Sequence, residues 1–187
     1  YQQALVNLKT VLEKSEASED WGTYLAATTL RAFALEALVD CYGETPYTEA
    51  LDASNLAPKY DDGRTVYDGI IAELDNALSK VTASSSVCTN FLFEDQNAEP
   101  WIKFAKALKL KLLMRIANVD SSVLPQAKAL IDENDFPTED IAYTSCWGNE
   151  SGNMNPFYSE EFSSSWGSNQ ENICANLAII GSMQVKE

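Results

Sequence analysis

The sequence predicts an all-α fold of degenerate tetratricopeptide-like helical pairs separated by long loops. Three observations lead there. Apolar residues recur at helical spacing in four or five separate stretches between Leu5 and Glu133, the mark of helices with a buried face. Polar runs and Gly or Pro residues punctuate those stretches. Such helices, paired antiparallel and stacked, build tetratricopeptide solenoids, whose repeat is about 34 residues. The repeat is kept poorly here: the starts at Trp21 and Thr65 lie 44 residues apart, because a long loop intervenes.

The first helix carries Leu5, Leu8, Val11 and Leu12 and ends in the polar run Ser15 to Asp20. The second presents Leu30, Phe33, Ala34, Ala37, Leu38 and Cys41 as its buried face, with Ser18 or Asp20 as N-cap. Gly43, able to take a left-handed C′ conformation, stops it, and Pro46 prevents its resumption before Tyr47. The third opens at Thr65, with Asp68 three residues on as a capping-box-like pair. Its stripe is Tyr67, Ile70, Ile71, Leu74, Ala77, Leu78 and Val81, closed by the polar run Thr82 to Ser86. The fourth follows Asn97 and tolerates Pro100 in its first turn. Apolar residues cover two of its sides: Trp101, Phe104, Ala105, Leu108 and Leu112 on one, with Leu110, Leu113, Met114 and Ala117 beside it. It is therefore expected at the centre of the core. A shorter fifth helix runs from about Val123 to Glu133, with Pro125 near its start. Residues 1–134 thus read as the helical-repeat scaffold. In 135–187 the character changes: Tyr143, Trp147, Phe157, Tyr158, Phe162 and Trp166 sit among Gly, Ser and Asn. This is expected to be an aromatic-rich loop segment packed on the scaffold within one structural domain. The apolar stretch Ile173 to Met183 reads equally as helix or strand.

With 187 residues, 45% hydrophobic and 22% charged, the chain can bury a sizeable core. Its charge balance is unusual: 13 Lys and Arg against 28 Asp and Glu give a net charge of −15. Such a surface repels phosphate backbones, which argues against nucleic acid as a partner, and it repels an anionic bilayer too. Neutral ligands and proteins with basic patches remain open. No apolar run approaches the roughly 18–20 residues of a membrane span. The opening Tyr1-Gln2-Gln3-Ala4-Leu5 lacks the parts of a signal peptide and reads as helix interior. Cys41, Cys88, Cys146 and Cys174 form no CxxC pair, and three disulfide pairings stay open; buried free thiols are the expectation. With no His and no paired spacing, a zinc site is not expected, and no cofactor is implied.

Without His, Ser-His-Asp, Cys-His and His-metal catalysis are excluded within this chain. There is no GxGxxG or GxxxxGK[ST] phosphate cradle and no calcium loop; Asp132-Glu133-Asn134-Asp135 is at best a weak ion site. Carboxylates such as Asp61-Asp62 and Glu160-Glu161 show no spacing that marks the fixed pair a glycosidase needs. They read as solvated surface, and the chain is expected not to be an enzyme. Five of the 13 basic residues, Lys103, Lys106, Lys109, Lys111 and Arg115, lie on the fourth helix. Stems covering apolar flanks while the heads pair with nearby carboxylates account for them better than a docking ridge for an acidic partner. The aromatic loop segment is where a function could live. Sugars offer apolar C–H faces and hydroxyls, so a neutral glycan needs flat rings for stacking and amides or carboxylates for its hydroxyls. Tyr143, Trp147, Asn149, Asn153, Asn155, Tyr158 and Trp166 supply that chemistry. The competing reading is a small satellite core in which Asn and Gly shape turns.

The run Tyr42-Gly43-Glu44-Thr45-Pro46-Tyr47-Thr48-Glu49-Ala50-Leu51, followed by Pro58-Lys59-Tyr60-Asp61, the helix from Val66-Tyr67 to Ala77 and the helix Trp101 to Arg115, resembles the SusD/RagB family of surface glycan-binding lipoproteins. The likeness extends from about Trp21 to Asn118, and the helix around Trp101 is its most specific part. It implies a structural corner at Tyr42, Pro46 and Tyr47 rather than a ligand contact there. It also implies aromatic loop residues that recognise oligosaccharide, a type of residue rather than mapped positions. The expected function is non-catalytic capture of an oligosaccharide or similar nutrient and its delivery to a SusC-like, TonB-dependent outer-membrane transporter. The implied location is the extracellular face of the outer membrane, held only by an N-terminal lipid anchor. Family members are much longer, so the resemblance implies a piece lacking the anchor region and the C-terminal half. The alternative is a helical-repeat scaffold that binds a peptide or protein in its groove.

Overall fold

A computed structural model describes residues 2–143, 147–148, 150 and 152–161. The chain divides into two compact units, Tyr1–Ala142 and Tyr143–Glu187. Among the described residues every regular element is helical: α1 (Gln2–Ala17), α2 (Trp21–Tyr42), α3 (Gly63–Lys80), α4 (Glu99–Ala117), α5 (Leu124–Glu133) and α6 (Pro156–Glu161), with a 3₁₀ turn over Ser121–Val123. Extended pairing is confined there to the single bridges Thr45–Asp61 and Ser86–Asn97. The all-α class expected from periodicity is the one found.

The turn between α1 and α2 is three residues long, so the two helices fold back on each other and pack. Glu19 takes a left-handed φ of 55°, and Asp20 is the N-cap, accepting from the Thr23 N–H at 3.2 Å. The Ser18 hydroxyl instead donates to the Lys14 carbonyl. On α2 the expected face is corrected. Leu30 and Phe33 are 38% and 49% exposed, and Cys41 is exposed. The buried residues are Gly22, Leu25, Ala26, Thr28, Thr29, Ala32, Leu35, Glu36 and Leu38, among others. Neighbours on several sides are the reason: α1, α3 and α4 all pack on α2, and small residues let them come close. Thr28 and Thr29 enter the core because their hydroxyls donate to the carbonyls of Tyr24 and Leu25, both at 2.8 Å. Gly22 marks the closest approach, since a Cβ there would sit 2.0 Å from the Ser86 carbonyl oxygen. The expectation of buried thiols also fails for Cys41 and Cys88, both free and exposed; Cys146 and Cys174 lie outside the described residues.

The start of α3 is corrected as well. Asp62, not Thr65, is the cap: its carboxylate accepts from the Thr65 N–H at 3.0 Å and hydroxyl at 2.6 Å. Asp68 pairs with Arg64 at 2.9 Å. The stripe of α3 is as expected from Tyr67 to Ala77, with Tyr67, Ile70, Ile71, Leu74 and Ala77 buried alongside Val66, while Leu78 and Val81 are half-buried.

Helix α4 packs against α2, α3 and α5. Trp101, Ala105, Leu108, Leu112, Leu113 and Ile116 are all buried, as a helix apolar on two sides requires; Met114, at 47% exposure, falls outside the contact. Trp101 packs edge-on against Phe93 with ring centroids 5.0 Å apart. Every one of the five basic residues on α4 is paired within the chain. Lys103 meets Glu99 at 2.7 Å, and Lys106 meets Glu133 at 2.8 Å and Asp135 at 2.9 Å. Lys109 meets Asp75 of α3. Lys111 reaches the buried Glu36 of α2 at 2.9 Å, and Arg115 holds Glu36 at 3.3 Å and Asp40 at 2.8 Å. The Tyr67 phenol donates to Asp40 at 2.6 Å, and burial, then that hydrogen bond, pushes its pKa well above the ordinary value.

The loop between α2 and α3 is built on two anchors. Asp61 accepts from the Thr48 N–H at 2.7 Å, the Thr48 hydroxyl at 2.9 Å and the Tyr47 N–H at 3.2 Å. The Tyr47 phenol donates to Glu73 of α3 at 2.6 Å, and Arg31 of α2 both pairs with Glu73 and lies over the Tyr47 ring, 5.5 Å from its centroid. The ring rests against Gly69, where a Cβ would come within 2.4 Å of it. Tyr47 therefore ties the corner to both flanking helices, whereas Tyr42 is 70% exposed.

Three outcomes are expected. Leu112→Ala, at a position with no exposure, lowers unfolding free energy by about 2–5 kcal/mol, while Leu30→Ala costs less than about 1 kcal/mol; urea melts distinguish them. Lys111→Ala with Arg115→Ala strands a carboxylate only 2% exposed and costs about 3–5 kcal/mol. Glu36→Gln leaves two half-exposed cations that water can solvate and costs about 1 kcal/mol. The third concerns acid. The Thr48 N–H, followed by the Thr48 hydroxyl, holds the Asp61 carboxyl below its usual range. A carboxyl more acidic folded than unfolded stabilises the fold above its unfolded value and loses that contribution as pH falls through the folded one. Asp61→Asn should thus lower the melting temperature at neutral pH and flatten its decline on acidification.

Candidate functional site

The aromatic segment is organised by its own backbone. Gly152 has φ 91°, a conformation that suits glycine, within a turn where the Asn153 N–H donates to the Glu150 carbonyl at 2.9 Å. The Gly148 N–H then donates to the Asn153 carbonyl at 2.8 Å, drawing the residue after Trp147 back toward the end of the turn. Two residues later Asn155 starts α6: its side-chain oxygen accepts from the Tyr158 N–H at 3.3 Å and its carbonyl from the Ser159 N–H at 2.9 Å. Pro156, with no N–H to satisfy, fits the first helical position.

These turns bring Trp147, Gly148, Asn155 and Tyr158 around a cleft of about 280 Å³. Trp147 is 38% exposed and Tyr158 52%. Tyr143, 43% exposed, packs edge-on against Trp147, with centroids 5.6 Å apart and planes at 82°, an arrangement that orients the indole. Among the described residues no charged side chain lines the cleft. The site therefore offers two aromatic surfaces and an amide, suited to a neutral ligand with apolar faces and polar edges. Its volume is near the lower end of small-molecule sites, roughly 300–1,000 Å³, so it can grip part of an extended ligand.

Of the residues expected from sequence, Tyr143, Trp147, Asn155 and Tyr158 come together, while Asn149 and Trp166 lie outside the described residues. Asn155 serves both readings made of the segment, since it caps a helix and lines the cleft. Asn153 is a turn residue through its backbone. Gly148 was missed; its position directly after Trp147 was the available signal. Among the described residues no group of three or more His, Cys, Asp or Glu side chains is placed to hold a metal ion, and no helix is long and apolar enough to cross a membrane.

The fold is that of an all-α, helical-repeat protein. The family model of SusD-like proteins, described as starch-binding and associating with the outer membrane, matches residues 1–180, and the chain belongs to this family. A SusD homologue from Bacteroides uniformis is similar at 25% identity and a TM-score of 0.67, over 89% of this chain and 35% of that one. A chitin-binding protein is similar at 26% identity and a TM-score of 0.63, over 72% of this chain and 29% of that one. A SusD homologue from Bacteroides fragilis shares the fold, with a TM-score of 0.69 at 23% identity over 87% of this chain and 37% of that one. The chain thus spans about a third of the length of these solved structures. No curated protein matches the sequence.

Proposed function

We propose that this chain contributes to the capture of a neutral oligosaccharide, with the cleft of Trp147, Gly148, Asn155 and Tyr158 as a contact site. The observation that carries the reading is the cleft's composition: exposed aromatic faces and an amide, with no charge among the described lining residues. Rings stack on the C–H faces of a pyranose and the amide exchanges hydrogen bonds with its hydroxyls. Membership of a family described as starch-binding, and likeness to a chitin-binding protein, support a glycan as the ligand class. The role is binding and release without chemistry. In the whole protein the captured sugar passes to a TonB-dependent transporter at the outer membrane, the protein being held on the extracellular face by a lipid anchor. That part of the proposal rests on the family's association with the outer membrane.

Affinity electrophoresis through gels containing plant, host and microbial polysaccharides tests the reading. One polysaccharide is expected to retard the protein. Trp147→Ala and Tyr158→Ala should each weaken that binding by about tenfold, or ~1.4 kcal/mol, with helicity unchanged by circular dichroism. Uniform mobility across the panel, or full retardation of both variants, counts against this cleft as a sugar site.

A further inference from the structure

Alongside α4, two adjoining clefts of about 490 and 550 Å³ share Pro137, Glu139, Asp140 and Ile141, and so make one groove between that helix and residues 136–142. Its floor is apolar. Phe33, Phe93, Phe104, Phe136 and Ile141 line it, and the Phe33 ring, 49% exposed, stands 6.4 Å from that of Phe104. Its rim is acidic. Glu94, Asp95, Glu139 and Asp140 line the groove, and none of the four has an ion-pair partner among the described residues. The two lysines at the groove are already engaged, Lys103 with Glu99 at 2.7 Å and Lys111 with Glu36 at 2.9 Å.

Carboxylates with no ion-pair partner among the described residues, set around a phenylalanine-lined trough, select one kind of occupant. Its large apolar side chains must fill the trough while Lys or Arg side chains beside them reach the rim. An acidic segment is repelled, and so is a second copy of this chain, whose net charge is −15. We propose that this groove docks a cationic, apolar peptide segment of a partner protein. The groove lies within the first unit, and the proposal does not depend on the sugar reading.

Fluorescence anisotropy on the 187-residue chain tests it, with a short dye-labelled peptide alternating Arg with Leu and Phe as the probe. Saturable binding that weakens with added salt is expected. Glu139→Lys with Asp140→Lys should weaken it by at least about tenfold, and Phe33→Ser should also weaken it. Glu13→Lys with Glu44→Lys, the same change of charge at exposed positions away from the groove, should leave it unchanged. Circular dichroism checks that each variant keeps its helicity. Equal weakening by both charge pairs would show only attraction to an acidic protein and overturn the proposal. Equal binding of an Arg–Ser peptide, or no binding of the probe, overturns it too.

Discussion

Glu36 is the constraint around which the scaffold is arranged. A carboxylate this deeply buried, at 2% exposure, is tolerable only where cations meet it. Both come from α4, as Lys111 and Arg115. That requirement sets the rotation of α4 against α2, and the rest of the helix follows from it. Once Lys111 and Arg115 point at α2, Lys109 faces Asp75 of α3 and Lys106 faces Glu133 and Asp135 at the end of α5. Leu108, Leu112 and Leu113 fill the space between. The hydrophobic contacts supply most of the stabilisation, being non-directional and large in area. The ion pairs choose one orientation among those that the apolar surface would accept.

The acidity of the chain looks different in this light. Five of the 13 cations lie on α4, and all five are drawn into internal pairs. The excess of carboxylates is therefore left to the surface, where it falls unevenly. It rims the groove beside α4 but is absent from the described lining of the aromatic cleft. The two clefts thus differ in their described linings, one rimmed by carboxylates and the other made of aromatic rings and an amide.

Much of the scaffold was legible from local pattern. The stripe of α3 is legible from Tyr67 to Ala77, and α4 belongs at the centre because apolar residues cover two of its sides. The corner at Tyr47 was marked by Gly43 and Pro46, whose effects are backbone effects and travel with the residue. The face of α2 is not legible from a single stripe, because α1, α3 and α4 all pack on it and bury residues on several sides, Gly22, Leu25, Thr28, Ala32 and Leu35 among them. The start of α3 is obscured because Thr65 resembles a cap, although Asp62, three residues earlier, holds that role. In the aromatic segment, residue types pointed to Trp147, Asn155 and Tyr158. Their meeting depends on the hydrogen bond from Gly148 to Asn153, which joins residues that no periodicity links.

By itself, then, the sequence determined the helices, their stops, the absence of histidine chemistry and the concentration of aromatic and amide residues after residue 142. Each of these is a property of a residue and its near neighbours along the chain. Only the tertiary structure decided which side of α2 is buried, which carboxylate each lysine of α4 meets, and which aromatics share a cleft. Burial and pairing are relations between segments far apart in sequence, and a periodic stripe states that a face wants covering without stating what covers it.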